Sequence, residues 1–169
     1  DDILNSDVEI IDICLPTFLH EEYTIKAAEA KKHVFCEKPI ANNVKAAQRM
    51  LKICKKNNVK LGIGMVVRFF PEYQAVKDSY QEGVIGKAGI INSFRGGGGY
   101  PSGWNDWYSN DDLSGSIVVD LLIHDIDYIQ SVFGKVKSVY ASNNCSDKNN
   151  GNKFAVFSAM LKLENNILA

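Results

Sequence analysis

The run Val34-Phe35-Cys36-Glu37-Lys38-Pro39 ends an apolar stretch in a carboxylate, an ammonium and a proline with nothing between them. A residue before proline is pushed out of the helical region, so Lys38 leaves the strand tip in a fixed turn with its amine aimed. In open α/β sheets ligands bind beyond the carboxyl ends of the strands, where such an amine can polarise an oxygen or relay a proton. Taken alone, the tripeptide also reads as a surface Glu-Lys pair that closes a strand. A second group lies further on. From Ile117 to Phe133 the residues are apolar almost all round a helix, and the interruptions Asp120, His124, Asp127 and Ser131 fall at i, i+4, i+7 and i+11, on one stripe. Asp120, one turn before His124, can orient the imidazole and raise its basicity, as a general base near neutral pH requires. The stripe reads equally as the solvent face of a half-exposed helix. His-x-x-x-Asp could give two metal ligands, but no third has fixed spacing, and no metal is expected.

The elements that must position these groups follow in order. Val8 to Leu15 is a β-branched run closed by Pro16, the pattern of a strand covered on both faces. Thr17 can cap the helix that follows, with Glu21 and Glu22 in its first turn and Lys31 and Lys32 at its end. His33 to Cys36 is the next strand. Asn42 or Asn43 then caps a helix with an apolar face of Ala46, Ala47, Met50, Leu51 and Cys54, which Asn57-Asn58 ends before a third strand, Val59 to Val66. These are consecutive βα units of a doubly wound parallel sheet, a domain over residues 1–66.

Beyond Arg68-Phe69-Phe70-Pro71 the rhythm changes. Glu72 to Gln81 is an amphipathic helix closed by Gly83, and Ala88 to Phe94 alternates like a strand. Gly96 to Gly99 leads through Tyr100-Pro101 into an aromatic loop with Trp104, Trp107 and Tyr108. The helix from Ile117 is capped by Ser114 or Ser116 and ended by Gly134. Strand patterns at Val136 to Ser142 and Phe154 to Glu164 flank a polar loop, Asn143 to Lys153, and Asn165 to Ala169 reads as a turn entering another strand. Strands without intervening helices predict an antiparallel sheet, hence an α+β domain over residues 67–169.

Composition narrows the function classes. Nineteen basic residues against twenty acidic ones in 169, with no long run of either sign, leave no footprint for nucleic acid. The longest apolar stretch, Ile117 to Ile123, is broken by Asp120 and is far short of a membrane span. Cys14, Cys36, Cys54 and Cys145 include no Cys-x-x-Cys and read as free thiols of a reducing cytoplasm. Gly62-Ile63-Gly64 lacks a third glycine and Gly96 to Gly99 does not enter a helix, so neither meets the dinucleotide fingerprint.

Together, Val8 to Pro16, the strand ending in Glu37-Lys38-Pro39, Arg68-Phe69 with Pro71, and Asp120-x-x-x-His124-Asp125-x-Asp127 resemble the Gfo/Idh/MocA family of NAD(P)-dependent oxidoreductases, over about Val8 to Leu163. The resemblance implies that Lys38, Asp120 and His124 are the catalytic residues, acting on a carbinol beside the nicotinamide. Pro16, Thr17, His20, Glu37, Lys38 and Arg68 resemble positions lining the cofactor cleft. It implies a sugar, polyol or related secondary alcohol as substrate and NAD or NADP as cofactor; an unpaired parallel-sheet edge and the partly unpaired second sheet predict a homo-oligomer through the sheet of the second domain. The competing class is a non-catalytic fold or dimerisation scaffold. The family opens with a Gly-x-Gly-x-x-Gly unit upstream of Val8 and continues past Ala169, so the chain reads as an internal portion, expected neither to bind NAD(P) usefully alone nor to be active alone. Locally, Val66 stands where the family often has asparagine, and Ser114-Gly115-Ser116 where it has a glycine triplet.

Overall fold

The computed structural model describes residues 2–96, 103–116, 118–145 and 155–169, and the chain divides into two compact units. Unit 1 comprises Asp1–Met65 with Pro101–Asp120, and unit 2 comprises Val66–Tyr100 with Leu121–Ala169. Residues 101–120 therefore group with the parallel-sheet domain, although sequence order alone assigns them to the second one.

Unit 1 is built on three parallel strands, β1 (Ile10–Ile13), β2 (His33–Glu37) and β3 (Leu61–Gly64), in that spatial order, with Ile13 opposite Cys36 and Glu37 opposite Gly64. The helices α1 (His20–Glu29) and α2 (Val44–Asn57) supply the crossovers. Ile11, Ile13, Val34 and Cys36 pack on Ala27 of α1, while Ala41, Ala46 and Met50 pack with Leu61. Burial alternates along β1 and β2. Ile10 is 60% and Phe35 46% exposed, so the expectation of a strand covered on both faces is corrected: both helices lie over one face of the described sheet. The Cys36 thiol, on the covered face, is pushed up to about 12, chiefly by burial.

The helix ends follow local chemistry. Thr17 does not cap α1; it is buried and opens a 3₁₀ turn, Thr17–Leu19, that leads into the helix without a side-chain cap. At the other end Lys31 takes the left-handed position usually given to glycine, with Lys31 N–H on Ala28 O and Lys32 N–H on Ala27 O, both at 3.0 Å. Asn43, rather than Asn42, caps α2 by accepting Ala46 N–H at 2.9 Å, and left-handed Asn58 ends it.

In unit 2 a 3₁₀ turn (Val66–Phe69) precedes α3 (Pro71–Gln81), whose proline sits in the first turn, where a missing N–H costs nothing. Next come α5 (Ile123–Phe133), closed by Gly134, and an antiparallel hairpin of β4 (Val136–Cys145) and β5 (Ala155–Leu163). A short α4 (Asp111–Ser114) belongs to unit 1. Val67, Tyr128, Ile129, Phe133, Leu161, Leu163 and Ile167 form the core of unit 2. Ala88 to Phe94 is not a strand. Among the described residues its pairing is one parallel bridge, Ile90 to Leu168, with Ile91 N–H on Leu168 O at 2.8 Å. Leu168 also pairs antiparallel with Lys162, so the turn at Asn165-Asn166 does return the chain to the sheet. The helix expected from Ile117 starts as a wide π turn, Val118–Leu122, and becomes α-helical only at Ile123. Much of the Gly96 to Gly99 run, Tyr100-Pro101, Ile117 and most of the Asn143 to Lys153 loop lie outside the described residues.

Because Asn43 supplies the one side-chain cap of α2, Asn43→Ala should lower unfolding stability by about 1 kcal/mol in urea titrations, and Asn43→Asp should restore most of it.

Candidate active site

The carboxyl end of β2 is held from both sides. Glu37 Oε2 accepts the backbone N–H of Lys38 at 3.2 Å, and the Lys38–Pro39 peptide is cis, with Pro39 fully buried. His20, the first residue of α1 and 0% exposed, lies with Nδ1 2.8 Å from Pro39 O and Nε2 2.8 Å from Leu15 O. From this turn the Lys38 ammonium donates to Asp120 Oδ1 and to Asp120 O, each at 2.9 Å. The two side chains are 17% and 9% exposed. An ammonium has three N–H bonds, and Asp120 engages two of them, so one donor direction is left for a further oxygen.

Asp120 reaches Lys38 because the segment leading to it is seated on the loop after Pro39. Asn42 Nδ2 donates to Asp112 O at 2.8 Å. Gly115, at φ +80°, packs on the backbone of Asn42: a Cβ there would lie 2.8 Å from Asn42 O and 3.1 Å from Val119 Cβ, so only glycine fits. Ser114 and Ser116 substitute for glycines in a definable way. Ser116 is left-handed at φ +76°, and its N–H is received by the buried Ser114 hydroxyl at 3.1 Å.

An aromatic group borders the pair. Trp107 is buried, edge-on to Phe18 at 6.2 Å, and stacked on Tyr108 at 3.9 Å between ring centres. The Tyr108 phenol is held above its ordinary value, first by burial and then by the negative charges of Asp120 and Glu37. Tyr108 thus shares the electrostatic environment of the ion pair. The sequence offered only an aromatic loop; that loop's return to unit 1 had no local signal.

Of the residues expected in catalysis, the structure brings Lys38 and Asp120 together, whereas His124 belongs to α5 of unit 2. Of the cofactor group, Pro16, Thr17, His20, Glu37 and Lys38 gather at the ends of β1 and β2, with Thr17 and His20 buried. His20 spends both ring nitrogens on backbone carbonyls, so its expected place in the cleft lining is corrected to an internal one. Arg68 lies in unit 2 and grips Asp127 with two nitrogens, Nε donating at 2.6 Å. Asp125 stands in the His124-Asp125 motif but lies off the polar stripe and carries no role in the sequence reading. It is buried and accepts from Ser93 Oγ at 2.5 Å and from Arg95. An aspartate on the apolar side of a buried helix was the available signal, since such a charge requires partners.

The donors suit one end of a dinucleotide. Glu37 is partly exposed and can accept from a ribose hydroxyl or a carboxamide N–H, and Lys38 retains one donor. No group of three or more His, Cys, Asp or Glu side chains suited to a metal occurs among the described residues.

Residues 1–65 match the model of an oxidoreductase family with an NAD-binding Rossmann fold, and residues 73–169 match the GFO/IDH/MocA C-terminal domain. The chain is 34% identical to the myo-inositol 2-dehydrogenase of Thermotoga maritima over 82% of its own length and 40% of that protein's. It is likewise 34% identical to the 2,7-anhydro-N-acetylneuraminate hydratase of Escherichia coli, over 76% of its length and 34% of the relative's. The crystal structure of myo-inositol 2-dehydrogenase from Lactobacillus plantarum superposes with a TM-score of 0.76 at 30% identity, covering 99% of this chain and 51% of that one. The chain therefore spans about a third to two-fifths of these curated relatives and half of that solved structure.

The folded state holds the Tyr108 proton more tightly than the unfolded chain does. Its contribution to stability is present below about pH 10 and is lost as pH rises through the folded value. Phenolate absorbance, taken as the difference from Tyr108→Phe, should appear later than for an ordinary tyrosine, and Asp120→Asn should move the transition to lower pH.

Proposed function

The chain belongs to the Gfo/Idh/MocA family of oxidoreductases, and from that membership we propose that the whole protein moves a hydride between NAD(P) and a secondary alcohol of a sugar, polyol or related compound. The observation that carries the reading is the Lys38–Asp120 pair at the carboxyl end of β2. A nearly buried ion pair is a poor device for stability, because desolvating both charges offsets most of their attraction. It is a good device for holding a cation where negative charge develops.

Oxidation takes a hydride from the carbinol carbon and a proton from its hydroxyl, leaving a carbonyl. When bound, the nicotinamide supplies the hydride acceptor. Lys38 turns its remaining N–H to the substrate oxygen and stabilises its developing charge, while Asp120 fixes the direction of the ammonium. The family resemblance gives His124 the removal of the hydroxyl proton. It gives Pro16, Thr17, Glu37, Lys38 and Arg68 places lining the cofactor cleft. A polyol substrate is supported by the inositol dehydrogenase relative. The hydratase relative supports a second reading, in which the net reaction adds water to an anhydro sugar; net accumulation of reduced cofactor separates the two.

Self-association through the hairpin is supported by one of its faces, where Tyr140 (76% exposed) and its cross-strand partner Met160 are open, followed beyond the Ser142–Ser158 pair by the exposed Val156. A cytoplasmic setting is supported by the free thiols of Cys14, Cys36 and Cys54. No helix among the described residues is long and apolar enough to cross a membrane.

In the whole protein, assayed with NAD and NADP on a panel of polyols and sugars, Lys38→Met should cut kcat by about 10² or more with its circular dichroism unchanged. His124→Asn should flatten the rate profile near neutral pH without altering cofactor affinity. Full turnover by Lys38→Met on every substrate would remove the basis of the assignment.

A further inference from the structure

Pairing between β1 and β2 stops at Ile13 and Cys36, and beyond it the two strand tips run on toward Pro16 and Pro39 without a ladder between them. One side chain replaces the missing rungs. His20 sets Nε2 against Leu15 O on the β1 side and Nδ1 against Pro39 O on the β2 side, with no exposed surface. An imidazole is a flat ring with no rotatable bond between its nitrogens, so it fixes the spacing of the two carbonyls. Carbonyl oxygens only accept, so each tie exists while its own ring nitrogen carries hydrogen. The Pro39 tie bears directly on Lys38. The pyrrolidine ring locks φ of Pro39, and holding its carbonyl fixes ψ, so the residue that follows Lys38 is fixed in place.

We propose that His20 is a positioning residue that sets the direction of the Lys38 ammonium by clamping the Pro39 carbonyl to the end of β1. The inference rests on the proposed function only for its kinetic arm. Asparagine places a donor where Nδ1 stands and glutamine where Nε2 stands. His20→Asn therefore keeps the Pro39 tie and gives up the one to Leu15, and His20→Gln does the reverse.

Two measurements on the whole protein test this. In nitrogen NMR, the Lys38 ammonium signal should persist in native protein and in His20→Asn but broaden or vanish in His20→Gln, although both variants lose one bond. In kinetics, His20→Gln should lose about tenfold or more in kcat at unchanged KM, against threefold or less for His20→Asn. Equal behaviour of the two variants, or the reverse order, would assign His20 a structural role and overturn the proposal. If neither variant folds, the native protein decides: a slowly exchanging Nδ1–H signal for His20 upholds the Pro39 tie, and its absence overturns the proposal. A protein that turns over none of the panel defeats the functional reading alone, because the NMR comparison needs no substrate.

Discussion

One ammonium group bonded twice to one aspartate joins residues 82 positions apart, and much of unit 1 is explained by what that contact needs. Lys38 must leave a strand tip in a fixed turn, which the cis Lys38–Pro39 peptide, the Glu37 carboxylate and His20 provide. Asp120 must come back from beyond residue 100, which the Asn42–Asp112 bond, the glycine contact at Gly115 and the Ser114–Ser116 turn provide. Removing either partner would strand a nearly buried charge, at a cost of about 3–5 kcal/mol for pairs of this kind. The contact is thus a constraint that keeps segment 101–120 with the parallel sheet.

The second unit uses charge differently. Arg68 holds Asp127, and Ser93 and Arg95 hold Asp125, so the acidic side chains of α5 after His124 are taken up by neighbours within their own unit. The apolar side of the same helix carries Ile129 and Phe133 into the core with Leu161 and Leu163. Tyr128 links both roles: its ring packs edge-on to Tyr73 at 4.8 Å and its hydroxyl donates to Tyr73 O at 2.6 Å.

The parallel sheet was readable because its cues are local: β-branched runs, caps and helical periodicity each act over a few residues. The Glu-Lys-Pro tip and the polar interruptions at Asp120 and His124 were visible for the same reason. What escaped depends on distant partners. Alternation in Ala88 to Phe94 says that side chains face two ways, but a strand also needs a neighbour along its length, and among the described residues Leu168 alone bridges Ile90. The i, i+4 stripe presumed 3.6 residues per turn, which the π turn at Val118–Leu122 does not keep. His20 looked like a cleft residue because it stands near a strand end; its burial and its two carbonyl partners are set by the fold. Asp125 had a readable need for partners, but its particular partners, Ser93 and Arg95, come from 30 and more residues upstream.

The strand that delivers Lys38 also carries Cys36, whose thiol is pushed up to about 12. Burial therefore keeps it in the thiol form at neutral pH, and the thiolate is the nucleophile that attacks peroxides and electrophiles. Sulfinic acid or a glutathione adduct at this position would place new volume and charge two residues from the ammonium, inside a closed layer. The burial that packs β2 against α1 thereby keeps this thiol out of reach of such reagents, whereas Cys14, at the neighbouring strand's end, is exposed.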